Sequence, residues 1–296
     1  MGDALLAPRT LGALTSEMAR RLAPTFGHEA EREACELLAA LHDMPRHWPL
    51  LERSMVMSAD AWSRALMAAE RRARGAPLQY AAGRAAFRHL TLDVDERVLI
   101  PRPETEQLVE IVLDLTRDHG GGMVVDVGTG SGAIALALAS EGSFDHVLGT
   151  DVSLDALEVA RANVRRCAGV LRAPVSLRHG SLLAPVTEGG LRAVVSNPPY
   201  IAWDEASALP ASVRDWEPAV ALFSGADGMA VTARLVRDAA VTLAAGGVLT
   251  LEVDARRAGV AAELVASAGG YDDVRVLLDL TGRERFVVAR RREEQG

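Results

Sequence analysis

The stretch Asp126-Val-Gly-Thr-Gly-Ser-Gly132 decides the fold class of this 296-residue chain. It completes an apolar run over residues 123–127 and leads into an apolar helical pattern over 131–140. Glycines between a buried strand and a helix let the backbone turn sharply and let a ligand approach where a Cβ would block it. Asp151 follows Gly132 by nineteen residues, at the end of the next predicted strand. A carboxylate there can accept hydrogen bonds from both ribose hydroxyls, so the pattern predicts a site for a ribose-bearing cofactor.

The glycine turn alone leaves the identity of this cofactor open. Gly128, Gly130 and Ala133 also fit the dinucleotide-binding pattern, which accepts alanine at its third position, so NAD is a competing ligand. All 32 basic residues are arginine. Schiff-base enzymes, P-loop proteins, kinases and dehydrogenases with a Tyr-Lys pair each need a lysine amine, so the composition excludes these classes. An oxidoreductase is therefore disfavoured.

The overall composition is that of an ordinary globular protein, with 49% hydrophobic and 24% charged residues. The net charge of −8 argues against direct binding of nucleic acid or of an anionic membrane. Cys35 and Cys167 match no disulfide or metal pattern, and no apolar run reaches the ~20 residues of a membrane span. His42 and His47 flank Asp43 without a further ligand in sequence reach, so we expect no metal site. These features predict a cytoplasmic protein.

The hydrophobic pattern divides the chain into three parts. Helical spacing fills residues 10–75, and the segment 75–77, Gly-Ala-Pro, breaks it. Apolar and polar residues then alternate over 87–100, which predicts a short β-hairpin. We therefore expect a helical domain over residues 1–83, a β-hairpin linker over 84–100 and a larger domain over 101–296.

Helices and strands alternate from Pro103 onward. Predicted strands occupy residues 123–127, 146–150, 174–178, 192–196, 248–253, 274–278 and 285–289. Helical patterns begin at Pro103 and cover residues 131–140, 154–166, 229–244 and 256–268. Such alternation predicts an α/β fold with a doubly wound, mostly parallel sheet. Only six residues separate the last two strands, too few for a crossover, so these two should form an antiparallel hairpin.

A second motif, Asn197-Pro-Pro-Tyr200, ends the fourth predicted strand at the sheet edge where open α/β folds bind ligands. The two prolines fix an extended backbone and remove two donors, which leaves nearby carbonyls free to accept hydrogen bonds. The Asn197 side-chain oxygen and the Pro198 carbonyl could together hold a planar NH₂ group, as in an amide or an exocyclic amine, with Tyr200 packed on its plane. Such a nitrogen is a poor nucleophile. Catalysis would come from aiming its lone pair at an electrophilic methyl group, with no strong base required.

Together the two motifs resemble those of class I S-adenosylmethionine-dependent methyltransferases that act on amino groups. Within that class the chain resembles the bacterial release factor glutamine methyltransferases, the HemK/PrmC family, over about residues 30–290. Further stretches that carry the resemblance are residues 77–83, Phe87, and residues 99–106, 217–222 and 282–285. The resemblance implies the class I methyltransferase form of the doubly wound sheet, with an antiparallel last strand and a small N-terminal helical domain.

The resemblance also implies a function and a set of site residues. S-adenosyl-L-methionine would donate a methyl group to the side-chain amide nitrogen (N5) of the glutamine in the Gly-Gly-Gln loop of peptide-chain release factors. The expected cofactor contacts are Gly128, Thr129, Gly130, Ser131, Gly132, Asp151, Leu182 and Asn197. The expected substrate contacts are Asn197, Pro198, Pro199 and Tyr200, and of these Asn197, Pro198 and Tyr200 would be catalytic. The N-terminal helices would dock the release factor, and we expect a monomer.

Two departures from the family pattern keep other substrates open. Ser181-Leu182 replaces the acidic and bulky pair usual near the adenine, and residues 251–254 lack the usual glycine. A paralogue acting on an amide of another protein is one alternative. A nucleic-acid adenine N6-methyltransferase is another, because adenine also presents an exocyclic NH₂ group, although the net charge of −8 offers no basic target-recognition region. Glu217 could either contact the substrate or cap a turn.

Overall fold

A computed structural model describes residues 9–118 and 120–293, and these residues form two compact units. The first unit ends at Ala85 and is helical, as the spacing predicts. Its helices are α1 (Leu11–Phe26), α2 (Ala30–His42), α3 (Trp48–Leu51), α4 (Ala59–Ala73) and α5 (Leu78–Ala82). Thr10 and Ser58 begin α1 and α4 as N-caps, because their hydroxyl oxygens accept hydrogen bonds from backbone N–H groups of the first turn.

The helices of this unit bury one apolar face each. The fully buried residues of this core include Leu14, Met18, Leu22, Leu37, Leu38 and Ala65. Arg72 closes one side of this core. Its guanidinium lies 4.3 Å from the centre of the Phe26 ring, and its Nε donates to the Glu33 carboxylate at 2.9 Å. This arginine therefore stabilises the packing of its own unit.

A two-stranded sheet follows α5, formed by β1 (Arg84–Phe87) and β2 (Leu90–Asp93). These strands lie earlier than the alternation over 87–100 predicts. The reason is a turn at Asp95, whose side chain accepts a hydrogen bond from the Arg97 N–H and whose carbonyl accepts one from the Val98 N–H, both at 3.1 Å. The buried apolar residues after this turn thus belong to no strand.

The second unit, from Ala86 onward, is built on a seven-stranded sheet. In chain order the strands are β3 (Met123–Val127), β4 (His146–Asp151), β5 (Val175–His179), β6 (Leu191–Ser196), β7 (Leu243–Glu252), β8 (Tyr271–Leu278) and β9 (Glu284–Arg291). The strand order is β5-β4-β3-β6-β7-β9-β8, parallel except for β9, which is antiparallel to both β7 and β8. The predicted doubly wound sheet with its antiparallel last strand is confirmed.

Helices cover both faces of this sheet. They are α6 (Pro103–Thr116), α7 (Ala133–Glu141), α8 (Leu154–Cys167), the short α9 (Ala211–Arg214) and α10 (Ala219–Leu222), α11 (Ala230–Thr242) and α12 (Ala258–Ser267). Successive strand residues face opposite sides, so Val124 packs in the core beneath α6, α7 and α8, and Val125 packs in the core beneath α11 and α12. The near-continuous apolar strands of the sequence follow from this double coverage.

The four central strands end together at one edge of the sheet. In the parallel register, Val127 of β3 lies opposite Thr150 of β4 and Ser196 of β6, and Ser196 lies opposite Leu251 of β7. The Ser196 hydroxyl donates to the Val127 carbonyl at 2.7 Å and ties the last pair of β3 and β6. The segments that follow these strands therefore meet at a common edge.

One buried asparagine joins three parts of this unit. Asn163 of α8 accepts a hydrogen bond from the Asp93 N–H (2.7 Å) and donates to the Asp93 carbonyl and the Ser131 carbonyl, both at 2.9 Å. The side chain is fully buried. It therefore fixes the end of β2 and the turn before α7 to the same helix.

Replacing Asn163 by alanine should destabilise the protein strongly. Three buried backbone groups would lose their partner, so we expect Asn163→Ala to lower the free energy of unfolding by about 3 kcal/mol in urea denaturation at 25 °C. Arg161→Ala, at an exposed position of the same helix, is the matched control and should stay within about 0.5 kcal/mol of the unsubstituted protein. Equal losses in the two variants would contradict this role of Asn163.

Candidate active site

The glycine turn between β3 and α7 is held in the left-handed region of backbone space. The φ angles of Gly128, Gly130 and Gly132 are 73°, 55° and 84°. A Cβ built on Gly128 or Gly130 would meet no atom within 4 Å, so glycine is required there by conformation and not by crowding. Because Gly132 cannot be helical at this φ, α7 begins at Ala133, two residues later than the pattern predicts. The open space beside the first two glycines leaves room for a ligand.

The turn is held from behind by Asp126, the last but one residue of β3. Its Oδ2 accepts hydrogen bonds from the Thr129 hydroxyl at 2.6 Å and from the Ala135 N–H at 3.1 Å. The side chain is fully buried, and burial raises the pKa of Asp126 to about 7. One carboxyl group thus links the strand, the turn and the first turn of α7.

The raised pKa of Asp126 gives a testable dependence of stability on pH. Between about pH 4 and pH 7 the folded protein keeps a proton on this carboxyl that the unfolded chain releases. Its contribution to stability is therefore complete below this window and is lost as the pH rises through it. Relative to Asp126→Asn, we expect the free energy of unfolding to fall by up to ~1.4 kcal/mol per pH unit across the window. Urea titrations from pH 4.5 to 7.5 measure this difference. If the free energy of unfolding changed with pH equally in the unsubstituted protein and in Asp126→Asn, the raised pKa of Asp126 would be contradicted.

Asp151, the last residue of β4, closes the other side of the turn. Its Oδ2 accepts from the Gly130 N–H at 2.9 Å and its Oδ1 accepts from the Ser153 N–H at 2.8 Å. Burial raises the pKa of Asp151, and the two backbone N–H groups oppose that shift. Each oxygen makes one of these bonds and keeps a lone pair for a further donor.

A cavity of about 700 Å³, the larger cavity, opens beside the turn. Of the residues expected to contact the cofactor, those that line it are Gly128, Gly130, Asp151, Leu182 and Asn197. The other three expected contacts, Thr129, Ser131 and Gly132, are not among its described lining residues. The hydroxyl of Thr129 is directed to Asp126, and the carbonyl of Ser131 is bonded to Asn163.

The walls of the larger cavity are shaped by two further features. Trp203 and Phe223 stack on each other with ring centres 4.3 Å apart and line the cavity, although the Trp203 side chain remains largely exposed. Leu182, on another wall, has a left-handed backbone with a φ of 54°, and its carbonyl accepts a hydrogen bond from the Thr150 hydroxyl at 2.9 Å. Sequence reasoning did not predict Trp203, because no pattern marks an exposed aromatic residue in a loop.

A second, smaller cavity of about 360 Å³ adjoins the larger one. It is lined by Asn197, Pro198 and Tyr200 of the second motif and by the charged residues Arg102, Glu205, Asp254 and Arg256. Asn197 lines both cavities, and Pro199 lines the larger one. The predicted substrate-binding motif is therefore placed where the two cavities meet.

The side chain of Asn197 is anchored by residues that sequence reasoning left without a role. Its Nδ2 donates to the Thr105 hydroxyl at 3.1 Å. Thr105 neighbours Glu252 at the end of β7: burial raises the pKa of the Glu252 carboxyl, and the Thr105 hydroxyl opposes that rise. Burial raises the pKa of Tyr200 to about 12, so this neighbour of Asn197 stays a neutral phenol at physiological pH. Thr105 falls within the stretch 99–106, which carries the resemblance, and Glu252 falls within 251–254, which departs from the family pattern; these positions were the available signal.

Glu217 is paired with an arginine. Arg102 Nη2 donates to both oxygens of the buried Glu217 carboxylate at 2.6 Å. Burial raises the pKa of Glu217, and the Arg102 charge opposes that rise. The pair ties the residue before α6 to residues 218–221, which line the larger cavity. The described contacts of Glu217 therefore indicate a structural role, in which it supports the wall of the larger cavity.

Two sequence expectations concern features outside this site. Among the described residues no three His, Cys, Asp or Glu side chains cluster as a metal ion would require. His42 packs against Trp48 with ring centres 5.2 Å apart, and burial lowers its pKa. In the part of the chain that is described, no helix combines the length and the apolar character of a membrane span.

Comparison with solved structures defines the fold class. The hMettl16 catalytic domain, solved in complex with the MAT2A 3'UTR hairpin 6, aligns with a TM-score of 0.52 over 82% of this chain and 85% of its own, at 17% identity. A methyltransferase from Pyrococcus furiosus aligns with a TM-score of 0.51 over 70% of this chain and 92% of its own, at 18% identity. The seven-stranded sheet and the helices on its two faces have the class I methyltransferase fold.

Comparison with other sequences defines the family. Residues 13–83 match the PrmC N-terminal domain, and residues 103–210 match the methyltransferase small domain. The release factor glutamine methyltransferase of Moorella thermoacetica is 40% identical over 96% of this chain and 100% of its own length. That of Deinococcus radiodurans is 39% identical over 94% of this chain and 97% of its own length. The chain belongs to the release factor glutamine methyltransferase family, which confirms the resemblance expected from its motifs.

Proposed function

We propose that this enzyme transfers a methyl group from S-adenosyl-L-methionine to the side-chain amide nitrogen of the glutamine in the Gly-Gly-Gln loop of peptide-chain release factors. The observation that carries the proposal is the position of Asn197, which lies between a cavity of cofactor size and a second cavity beside it. The names of the family members support the same substrate.

The larger cavity fits S-adenosyl-L-methionine in size and in donor set. Its volume of about 700 Å³ is within the range of small-molecule sites. Open space at Gly128 and Gly130 allows the methionine end to approach the backbone, and the free lone pairs of Asp151 suit ribose hydroxyls. Leu182 provides an apolar wall for the adenine. When bound, the cofactor supplies an electrophilic methyl group on a sulfonium.

We assign a structural role in the glycine turn to three residues that are not among the described lining residues of the larger cavity: Thr129, Ser131 and Gly132. The Thr129 hydroxyl binds the carboxyl of Asp126, and Ser131 is held through Asn163. Their contribution is to keep the two open glycines in place without side-chain contact to the cavity.

The end of β6 would position the glutamine amide. The Asn197 side-chain oxygen and the Pro198 carbonyl would accept the two amide hydrogens, so that the nitrogen lone pair faces the larger cavity. Positive charge that develops on this nitrogen falls next to two oxygens. The neutral Tyr200 and Pro199 would pack against the amide plane. The methyl group would leave its sulfonium as a neutral thioether, and the methylated amide would release its extra proton to water. Because a protonated amide nitrogen is strongly acidic, orientation and charge stabilisation suffice and no strong base is required.

The protein substrate would use the smaller cavity and the N-terminal unit. Arg102, Asp254 and Arg256 give the smaller cavity charged groups that can bind the backbone and side chains around the Gly-Gly-Gln loop. We assign release-factor docking to the helical domain over residues 1–83, a linking role to residues 84–100 and catalysis to residues 101–296. We further propose that the enzyme works as a monomer in the cytoplasm without binding nucleic acid directly.

Methyl transfer from labelled cofactor tests the proposed substrate. We expect label on purified release factor, no label on its variant with alanine in place of the loop glutamine, and no label on DNA or RNA. Label on nucleic acid would instead support adenine methylation. Label retained by the alanine variant would show that another residue is modified.

Two alanine variants should separate cofactor binding from catalysis. Asp151→Ala should weaken cofactor binding about 100-fold, or ~2.8 kcal/mol, because it removes the ribose acceptor and a bond to Gly130. Asn197→Ala should abolish turnover but change the cofactor Kd by less than about tenfold. Isothermal titration calorimetry and methyl-transfer rates on both variants measure this. Loss of cofactor binding in Asn197→Ala would place Asn197 mainly in the cofactor site.

A further inference from the structure

We infer that Thr105 and Glu252 are positioning residues that fix the Asn197 side chain with its amide oxygen facing the substrate. The inference rests on the proposed function, in which that oxygen accepts a hydrogen from the glutamine amide. Asparagine presents an oxygen and an NH₂ group of almost the same shape, and only the oxygen can accept. A site that depends on one acceptor therefore needs a device that prevents the side chain from flipping.

The three residues come from three elements that meet at the carboxyl edge of the sheet. Thr105 lies in the first turn of α6, Asn197 follows β6 directly, and Glu252 is the last residue of β7. Asn197 Nδ2 donates to the Thr105 hydroxyl oxygen at 3.1 Å. Burial raises the pKa of the neighbouring Glu252 carboxyl, and the Thr105 hydroxyl opposes that rise. Thr105 and Glu252 are only 5% and 2% exposed, so water competes little for these bonds.

The donors and acceptors of Glu252, Thr105 and Asn197 can be arranged consistently in only one direction. An ionised carboxylate can only accept, so the single hydroxyl proton of Thr105 is directed to Glu252. The Thr105 oxygen is then available only as an acceptor for its other neighbour. The NH₂ group of Asn197 must face it, and the amide oxygen is turned away from Thr105. A neutral side chain in place of Glu252 would permit the reverse order.

The surroundings of Glu252 support this role. Its Oε2 is buried and has no hydrogen-bond partner among the described residues, so this oxygen is available to accept the Thr105 hydroxyl proton. Arg285 of β9 and Arg102 before α6 favour the ionised form, and Glu104 of α6 opposes it. Tyr200, a further titratable neighbour, stays a neutral phenol. Because burial raises the pKa of Glu252 to about 7, measurements at pH 8.5 keep the carboxylate ionised.

Kinetics of two Thr105 variants separate the hydroxyl from the packing. Thr105→Val keeps the shape and removes the hydroxyl, and Thr105→Ser keeps the hydroxyl and removes a methyl group. We expect Thr105→Val to lower kcat for release factor about 10- to 100-fold with the cofactor KM within about twofold, and Thr105→Ser to recover most of that loss. Glu252→Gln should resemble Thr105→Val, because its amide can donate to Thr105. If Thr105 served only in packing, kcat would be lower in Thr105→Ser than in Thr105→Val.

A buried threonine on the same helix offers a matched control. The Thr116 hydroxyl donates to the Val112 carbonyl of its own helix at 2.7 Å and lies at the far end of α6. Thr116→Val should leave kcat unchanged. Thermal unfolding of every variant establishes that it is folded before its rate is interpreted.

Side-chain amide exchange provides a readout that needs no substrate. The sequence contains only two asparagines, Asn163 and Asn197, so selective ¹⁵N-asparagine labelling gives two pairs of amide signals. In Thr105→Val we expect one Asn197 Nδ2 proton to exchange with solvent about tenfold faster, as for loss of a bond of ~1.4 kcal/mol. The Asn163 signals should not change, because that amide is bonded to Asp93 and Ser131.

The two readouts distinguish failure of this inference from failure of the proposed function. Unchanged Asn197 exchange and unchanged kcat in Thr105→Val would overturn the positioning role, as would a Thr105→Ser variant as impaired as Thr105→Val. If the unsubstituted enzyme transfers no label to release factor, the proposed function fails. Faster Asn197 exchange in Thr105→Val and Glu252→Gln would still support the orienting network in that case.

Discussion

The register of the parallel strands is the constraint on which the rest of the site depends. Val127 must lie opposite Thr150 and Ser196, and Ser196 opposite Leu251, for the four strand ends to share one edge. A shift by one residue would turn every side chain of a strand to the other face. The hydrogen bond from the Ser196 hydroxyl to the Val127 carbonyl acts at the last pair, next to Asn197. Both cavities are therefore assembled by backbone pairing before any ligand is bound.

Features encoded in short stretches of sequence could be predicted. The turn over 126–132 and the motif over 197–200 each combine glycine or proline geometry with a strand end, and both lie where the pattern places them. The doubly wound sheet followed from the alternation of elements. Errors arose where a local turn or a left-handed residue redirects the backbone. The turn at Asp95 shifts the hairpin, and the left-handed Gly132 delays the start of α7.

The support of the site could not be predicted because its partners are distant in the chain. Thr105 lies 92 residues from Asn197 and resembles an ordinary residue in the first turn of a helix. Glu252 is a charged residue in a strand that must be buried on both faces, which the hydrophobic pattern does not explain. Arg102 and Glu217 are 115 residues apart. Only the three-dimensional arrangement of α6 above β6 and β7 gives these residues a common purpose.

The unusual backbone of Leu182 has a consequence for ligand affinity. A branched L-residue in the left-handed region costs about 1–2 kcal/mol, and the bond from Thr150 to its carbonyl keeps it there. This conformational cost is borne when the chain folds, in the absence of ligand. A nucleoside that meets this wall encounters a surface already preorganised, so little entropy is lost in shaping it. The strain therefore lowers overall stability slightly and makes binding at this wall correspondingly less costly.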